Sequence, residues 1–154
     1  MIEIALYQPD IAPNAATVIR LGACLGIRVR IIEPAGFVWS SAQFRRAGLD
    51  YLELADVVRH ASWDAFRAET STRRLILITT KSTLPYTAFA FKQGDILLMG
   101  RESAGVPDSV HDAADARLVI PMCPGLRSLN VALACAMVTG EALRQTGDMM
   151  NRTG

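Results

Sequence analysis

Short apolar runs alternate along this chain with segments in which apolar residues recur every three or four positions. Four of the runs, at residues 2–7, 29–33, 75–78 and 95–99, are typical of strands buried in a parallel sheet. The segments between them show the helical period. Strands and helices that alternate through the whole chain predict an α/β fold, with a mostly parallel sheet covered by helices on both faces.

The first helix is expected over residues 14–25, and Gly26 ends it. Its apolar stripe is formed by Val18, Leu21 and Leu25. Arg20 lies one position off this stripe, so it projects from the edge of the helix rather than into the core. A solvated surface arginine, which is the usual fate of a lone arginine on a helix, is the alternative for this position.

Less regular elements fill the middle of the chain. A short basic helix carries Arg45 and Arg46 and breaks at the next glycine, and residues 52–58 are expected to form a brief strand. A second helix is predicted over residues 63–68, with Ser62 as its N-cap because a serine hydroxyl accepts a free first-turn N–H.

The segment 117–139 has the least ordinary pattern in the chain. A short strand ending at Ile120 leads into a loop rich in Pro and Gly, and a helix opens near Ser128, which is a favoured N-cap. This helix carries no charge from residue 129 to residue 138, and a helix that is apolar nearly all round is buried on more than one side. The loop gathers backbone donors and acceptors, which suits a ligand read by backbone atoms. A plain βα unit with a buried helix is the alternative.

Composition bounds the class of protein. The length of 154 residues predicts a single domain over residues 1–154, and 51% hydrophobic with 20% charged residues indicates a globular chain. The longest apolar run is far shorter than the roughly 20 residues of a membrane span, and a basic leader is missing, so we expect a cytoplasmic protein. Three cysteines without a C-x-x-C pair argue against a disulfide framework and against a metal site.

The net charge is only +1, but fourteen of the sixteen basic residues are arginines. The planar guanidinium matches the geometry of phosphate, so a phosphate-bearing partner is one interpretation. A composition bias toward alanine and arginine is the alternative, and arginine patches alone do not establish a nucleic-acid partner.

Three loops follow strands at their carboxyl ends, at residues 79–81, 100–107 and 122–127. Ligands of open α/β sheets bind at that edge, so we expect the site among these loops. The common nucleotide motifs are nevertheless missing: no G-x-G occurs, and Val106-Pro107 stands where a P-loop requires Lys-Ser/Thr. His60 and His111 lack acidic or cysteine partners at ligand spacing and are expected in surface or loop positions.

Three segments resemble, in order, the three motifs of the SPOUT methyltransferases. They are N-A-A-T-V-I-R-L-G-A-C-L-G at 14–26, G-R-E-S-A-G-V-P at 100–107, and I-P-M-C-P-G-L-R-S-L-N-V-A at 120–132. The resemblance extends over essentially the full chain and is nearest to the short members of the class that methylate the wobble nucleotide of tRNA. It includes I-I-E-P-A-G-F at 31–37 and R-R-A-G-L-D-Y at 45–51.

The resemblance implies a deep C-terminal trefoil knot and S-adenosylmethionine bound among the knotted loops, held mostly by backbone groups. The cofactor-binding residues that it implies are Ile78, Gly100, Glu102, Ile120, Met122, Ser128 and Leu129. It assigns Arg20 to activation of the ribose 2′-hydroxyl. Arg45, Arg46 and Arg127 are, with Arg20, the candidates for RNA contacts, because backbone phosphates favour arginine forks.

The resemblance further implies a homodimer and the anticodon loop of tRNA as partner, with 2′-O-methylation of a cytidine or uridine at nucleotide 34. The apolar last helix also favours an isologous dimer, because a chain of this size cannot cover that helix on every side. Two alternatives remain: a 2′-O-methyltransferase of ribosomal RNA, and a module that binds S-adenosylmethionine or RNA without catalysis. Arg101, Ala104 and Gly140 depart from the family pattern, which bears on RNA contacts and dimer detail.

Overall fold

A computed structural model describes residues 1–148 of the chain, so the last six residues of the predicted domain lie outside it. The strands are β1 (Glu3–Tyr7), β2 (Val29–Ile32), β3 (Val57–His60), β4 (Leu75–Ile78), β5 (Ile96–Met99) and β6 (Ala116–Leu118). The helices are α1 (Ala12–Leu25), α2 (Ala42–Gly48), α3 (Tyr51–Leu54), α4 (Trp63–Thr70), α5 (Asp108–Ala113) and α6 (Val131–Thr146), and a 3₁₀ turn spans Tyr86–Ala88.

The six strands form one sheet in the order β3-β2-β1-β5-β4-β6, and every pair of neighbours is parallel. In the centre, Ala5 of β1 lies opposite Arg30 of β2 on one side and opposite Leu98 of β5 on the other. The direction of the strand order reverses between β1 and β5, and such a reversal opens a crevice at the carboxyl ends of the strands. The predicted parallel α/β fold is confirmed.

Helices cover both faces of the sheet because the strands are apolar on both sides. On one face, α1 and α6 pack on Ile4, Val29 and Leu97 within the larger core. On the other face, α4 and α5 contribute Phe66 and Val110 to a smaller cluster. The two clusters take alternate residues of the same strands, as the pleat of a strand requires.

Several element boundaries follow the sequence signals. Gly26 ends α1 in the left-handed conformation at φ 59°, and the hydroxyl of Ser62 accepts the Ala65 N–H at the start of α4. Pro13 lies in the first turn of α1, and the helix begins at Ala12, two residues before the predicted start.

The structure differs from the prediction of a strand over residues 52–58. Tyr51–Leu54 forms one helical turn, and the strand begins only at Val57. Gly48 permits this turn, because a Cβ there would lie 2.3 Å from the side chain of Leu52. His60 is also misplaced by the sequence, since it is 4% exposed and lies on β3.

The connection after β4 returns to the end of β6. The Val119 N–H donates to the Leu84 carbonyl at 2.8 Å, and the Tyr86 N–H donates to the Val119 carbonyl at 3.0 Å. These bonds place residues 84–86 beside the strand that leads into the 120–130 loop. The threading that would make a trefoil knot stays a prediction.

Candidate functional site

A cavity of about 550 Å³ lies at the carboxyl ends of β4 and β5. Its walls come from the loops after β4, β5 and β6 and from the first turn of α1, where Ile11 and Asn14 reach it. All seven residues predicted to bind the cofactor line this cavity: Ile78, Gly100, Glu102, Ile120, Met122, Ser128 and Leu129. They are far apart in sequence, and they come together because β4, β5 and β6 are parallel neighbours in the sheet. Their role as cofactor ligands stays a prediction.

The loop after β5 folds back on itself. The Arg101 N–H donates to the Gly105 carbonyl at 3.0 Å, and the Gly105 N–H donates to the Arg101 carbonyl at 2.9 Å. A Cβ on Gly100 would lie 3.0 Å from the backbone of Gly105, closer than nearly all real Cβ contacts. A side chain at position 100 would therefore push the Gly105 backbone by a few tenths of an ångström before any ligand approaches, which favours glycine there.

The same loop is tied to the start of the chain through two carboxylates. The Asp10 N–H donates to Glu102 Oε2 at 3.1 Å, and the Ser103 hydroxyl donates to the Asp10 carboxylate. Burial and the adjacent Asp10 side chain raise the pKa of Glu102, whereas hydrogen bonds from Glu102 and Ser103 lower the pKa of Asp10. The Asp10 N–H and the Ser103 hydroxyl thus tie the loop after β5 to the residues that follow β1 at this wall of the cavity.

The N-cap of α6 is not the residue that the sequence predicted. Asn130, not Ser128, is the N-cap: its side-chain oxygen accepts the N–H groups of Ala132 at 2.8 Å and Leu133 at 3.3 Å. Asparagine is as good a cap as serine, and the unbroken apolar run starts at Val131, so the sequence held this signal. Asn130 Nδ2 also donates to Asn14 Oδ1 at 2.9 Å, which joins α1 to the cavity loop.

The two arginines that line the cavity, Arg101 and Arg127, differ in their side-chain partners. Arg101, one of the departures from the family pattern, donates from Nη1 to Gln8 Oε1 at 3.2 Å, and Gln8 has a φ of 42°. Arg127 lines the cavity, is exposed, and has no ion pair within the described part of the chain. Arg127 is thus free to meet an anionic group at the cavity mouth.

The other predicted functional arginines lie outside the cavity of their own chain. Arg20 is half-buried on α1, and its Cζ lies 4.6 Å from the ring centroid of Tyr51. Arg45 and Arg46 are exposed on α2, which packs against α1. The structure therefore brings the three arginines to adjacent helices but separates them from the predicted cofactor residues.

The histidines take positions that the sequence did not suggest. His111 belongs to the last turn of α5 and lines the cavity, and His60 Nε2 lies 3.2 Å from Arg30 Nη1 in the sheet. Burial lowers the pKa of His60. Among residues 1–148, no group of three or more His, Cys, Asp or Glu side chains could hold a metal ion. Within the same range, no helix is both long and apolar enough to cross a membrane.

The sheet order and the crevice lined by the loops after β4, β5 and β6 define an α/β fold with a candidate ligand site at the carboxyl ends of its strands. The chain belongs to the SpoU rRNA Methylase family, whose profile matches residues 1–140. The resemblance to this methyltransferase class is confirmed.

Two relatives and one solved structure are similar to this chain over nearly its full length. A tRNA (cytidine(34)-2′-O)-methyltransferase of Beijerinckia indica is 62% identical, over 94% of this chain and 91% of the relative. A protein of the same description from Escherichia coli (strain K12) is 44% identical, over 96% of this chain and 95% of the relative. A solved structure described as "Structural insights into the 2-OH methylation of C/U34 on tRNA" superposes with a TM-score of 0.91 at 37% identity, covering 99% of this chain and 98% of the other.

Proposed function

We propose that this chain is an S-adenosylmethionine-dependent methyltransferase that modifies the ribose 2′-hydroxyl of cytidine or uridine at nucleotide 34 of tRNA. The observation that carries the proposal is the single cavity lined by all seven residues implied as cofactor ligands. The near full-length similarity to tRNA (cytidine(34)-2′-O)-methyltransferases supports the substrate. A cytoplasmic location stays a prediction.

The cavity fits S-adenosylmethionine in its chemistry. Ile78, Ile120 and Leu129 offer an apolar wall together with backbone donors and acceptors, and Ser128 adds a hydroxyl. When bound, the cofactor supplies a methyl group on a sulfonium, which is a good leaving centre. The protein's part is therefore mainly to position the ribose and to activate a weakly acidic hydroxyl.

Arg20 is the group that we assign to this hydroxyl. A guanidinium has a reference pKa above 12, so it is a poor general base at neutral pH. Its five N–H donors can instead orient a hydroxyl and the neighbouring phosphate at once. Arg45, Arg46 and Arg127 would hold the RNA backbone, whose phosphates match arginine forks.

A homodimer accounts for the separation of Arg20 from the cavity. Leu133 and Met137 on α6 are 61% and 43% exposed, and Leu126 and Leu129 in the preceding loop are 69% and 39% exposed. An isologous contact through this face would cover these side chains and bring a second copy's arginines toward the cavity. Light scattering at micromolar concentration should give a dimer, and a monomer would contradict the assembly.

The substrate is tested by incubating purified protein with S-adenosylmethionine and transcripts of tRNA bearing cytidine or uridine at position 34. Nucleoside mass spectrometry should find a 2′-O-methylated cytidine or uridine at that position. Arg20→Ala should lose methyl transfer and retain cofactor affinity by calorimetry, because Arg20 is outside the cavity of its own chain. Methylation of a base, or of ribosomal RNA only, would overturn the substrate assignment.

The cofactor site is tested at Gly100. Gly100→Val places a branched side chain against the Gly105 backbone, so the loop must open and the cavity wall must shift. We expect loss of S-adenosylmethionine affinity with a retained far-UV circular dichroism spectrum. An affinity equal to wild type would contradict the placement of the cofactor.

A further inference from the structure

We propose that Tyr51 is a positioning residue for methyl transfer: the face of its ring fixes the guanidinium of Arg20 in the orientation that the ribose hydroxyl requires. The inference rests on the proposed function, since it assumes that Arg20 acts on that hydroxyl. Tyr51 lies at the start of α3, and its side chain packs from that helix onto α1.

The contact is close and is the one that holds the guanidinium. Arg20 Cζ lies 4.6 Å from the Tyr51 ring centroid, inside the roughly 6 Å over which a cation is attracted to an aromatic face. Both side chains are half-buried, so solvent weakens the attraction only in part. Across residues 1–148, Arg20 forms no ion pair and no side-chain hydrogen bond. Only the tyrosine ring is left to define where the guanidinium lies.

Two other arginines that lie over rings are held in a different way, whereas Arg67, 5.9 Å from the Trp63 ring centroid, also has no carboxylate partner within residues 1–148. Arg59 also lies 4.6 Å from a ring centroid, that of Trp39, but its Nε donates to Glu33 at 2.8 Å. Arg74 lies 4.9 Å from the Phe89 ring, and Asp95 accepts two hydrogen bonds from it. In those pairs a carboxylate takes donors and neutralises the charge, whereas the Arg20 pair leaves both available.

This difference matters for the chemistry. A ring face attracts the cation without accepting any of the five N–H donors. The guanidinium therefore keeps its full charge and its planar fork for an incoming phosphate and hydroxyl. A carboxylate in the place of Tyr51 would compete with the RNA for the same donors.

The backbone before Tyr51 is strained in a way that serves this placement. Leu49 has φ 50° and ψ −145°, a conformation that residues other than glycine rarely adopt. Its side chain is 53% exposed, so burial of Leu49 does not compensate for the strain. The result of this conformation is that the chain turns sharply between α2 and α3 and places Tyr51 over α1. Backbone strain of this kind is concentrated at functional sites.

The test compares Tyr51→Leu with Tyr51→Phe under single-turnover conditions on tRNA with cytidine or uridine at position 34. Phenylalanine keeps the ring face, so Tyr51→Phe should retain most of kcat. Leucine removes the face, so Tyr51→Leu should lower kcat about tenfold, in line with a desolvated cation–π contact. Affinity for S-adenosylmethionine should not change in either variant, because the residues expected to hold the cofactor belong to the cavity loops and include neither Tyr51 nor Arg20.

Phe89→Leu is the matched control, since it removes a ring from beneath Arg74, which Asp95 still holds. This control should keep wild-type kcat. The proposal is overturned if Tyr51→Leu retains kcat within about twofold, or if Tyr51→Phe loses as much activity as Tyr51→Leu.

A second measurement separates this inference from the proposed function. The Arg20 Nε–Hε resonance, assigned by its loss in Arg20→Lys, should shift in Tyr51→Leu because the ring current is removed, and should stay near wild type in Tyr51→Phe. An inactive wild-type protein with this pattern would refute the tRNA assignment and leave the Arg20–Tyr51 contact established. An unmoved resonance in Tyr51→Leu would refute the positioning role whatever the activity.

Discussion

Nine of the fourteen arginines of this chain form two sets that lie in different regions. The paired set, made up of Arg28, Arg30, Arg59, Arg73 and Arg74, lies on the strands or next to them, and each member forms an ion pair with a carboxylate. The unpaired set, made up of Arg20, Arg45, Arg46 and Arg127, lies on α1, on α2 and in the loop before α6. In residues 1–148 no member of the unpaired set has a carboxylate partner. The same residue type thus serves two different ends.

Pairing decides which arginines can meet an external anion. An arginine whose donors are already taken by an adjacent carboxylate has little charge left to offer a phosphate. The unpaired set, which holds the four arginines that the sequence assigned to catalysis or RNA, keeps both its charge and its donors. Arg67, Arg101 and Arg117 also lack a carboxylate partner within residues 1–148 but belong to neither set. The paired set stabilises the fold. This division makes the two roles separable by mutation.

The largest effect is expected from Arg30→Ala. Arg30 is 4% exposed, and it donates to Glu3 Oε2 at 2.5 Å and to Glu69 Oε1 at 2.8 Å. Its removal takes a buried cation away from Glu3, which keeps Arg73 as its second partner, and we expect a loss of about 2–3 kcal/mol. Urea unfolding should show this loss, while Arg45→Ala, on exposed α2, should stay within about 0.5 kcal/mol of wild type. Equal losses in the two variants would erase the distinction between the sets.

The next effect is on RNA affinity. The double change Arg45→Ala with Arg46→Ala removes two unpaired cations, so tRNA binding should weaken about tenfold at low salt. The slope of log affinity against log salt should also fall by about 1 per arginine. Filter binding over a salt series measures both quantities. A variant that binds tRNA with the wild-type slope would show that α2 does not contact the RNA backbone.

Stability measured against pH tests the ion pairs that Glu3 forms with two members of the paired set, Arg30 and Arg73. Burial alone would raise the pKa of Glu3, but hydrogen bonds from Arg30 and Arg73 outweigh it and hold the pKa below the ordinary value of 4.5. A carboxyl group with a lowered folded pKa contributes stability that is fully present above its unfolded pKa and is lost as pH falls through its folded pKa. Glu3→Gln should therefore be less stable than wild type at pH 7, by about 2 kcal/mol.

The difference between Glu3→Gln and wild type should shrink as the pH falls below about 4.5, because wild-type Glu3 becomes protonated there. Thermal unfolding at pH 7, 5 and 3 measures this change. A difference that is constant across these pH values would mean that the Glu3 charge contributes nothing to the stability.

Much of the fold could be predicted because it depends on local signals. Apolar runs marked the central strands, and Gly26 and Ser62 marked helix ends through conformations and hydrogen bonds that involve only near neighbours. The predicted strand at 52–58 failed because three of its residues belong to a tight turn made possible by Gly48. A close approach of that kind leaves no periodic trace in a sequence.

The loops that form the candidate site could be predicted from the sequence, but the contacts between their side chains could not. The motifs identified the loops that line the cavity, whereas the bond between Asn14 and Asn130 joins residues 116 positions apart. The contact of Arg20 with Tyr51 is likewise a product of helix packing, and so is the burial of His60 against Arg30. Side-chain partners across elements depend on the packed fold, and one sequence does not state them.

The smallest effect is expected from Arg28→Ala, which tests whether pairing or burial gives the paired set its role. Arg28 Nε lies 2.9 Å from Asp56 Oδ2, but the two side chains are 40% and 56% exposed. Water screens such a pair, and ordering two long side chains offsets much of the attraction, so Arg28→Ala should cost less than about 1 kcal/mol in urea unfolding. Its tRNA affinity and salt slope should equal those of wild type, because Asp56 already occupies the guanidinium. A loss as large as that of Arg30→Ala would make pairing itself the stabilising factor. A weakened tRNA affinity would place Arg28 with the unpaired set despite its carboxylate.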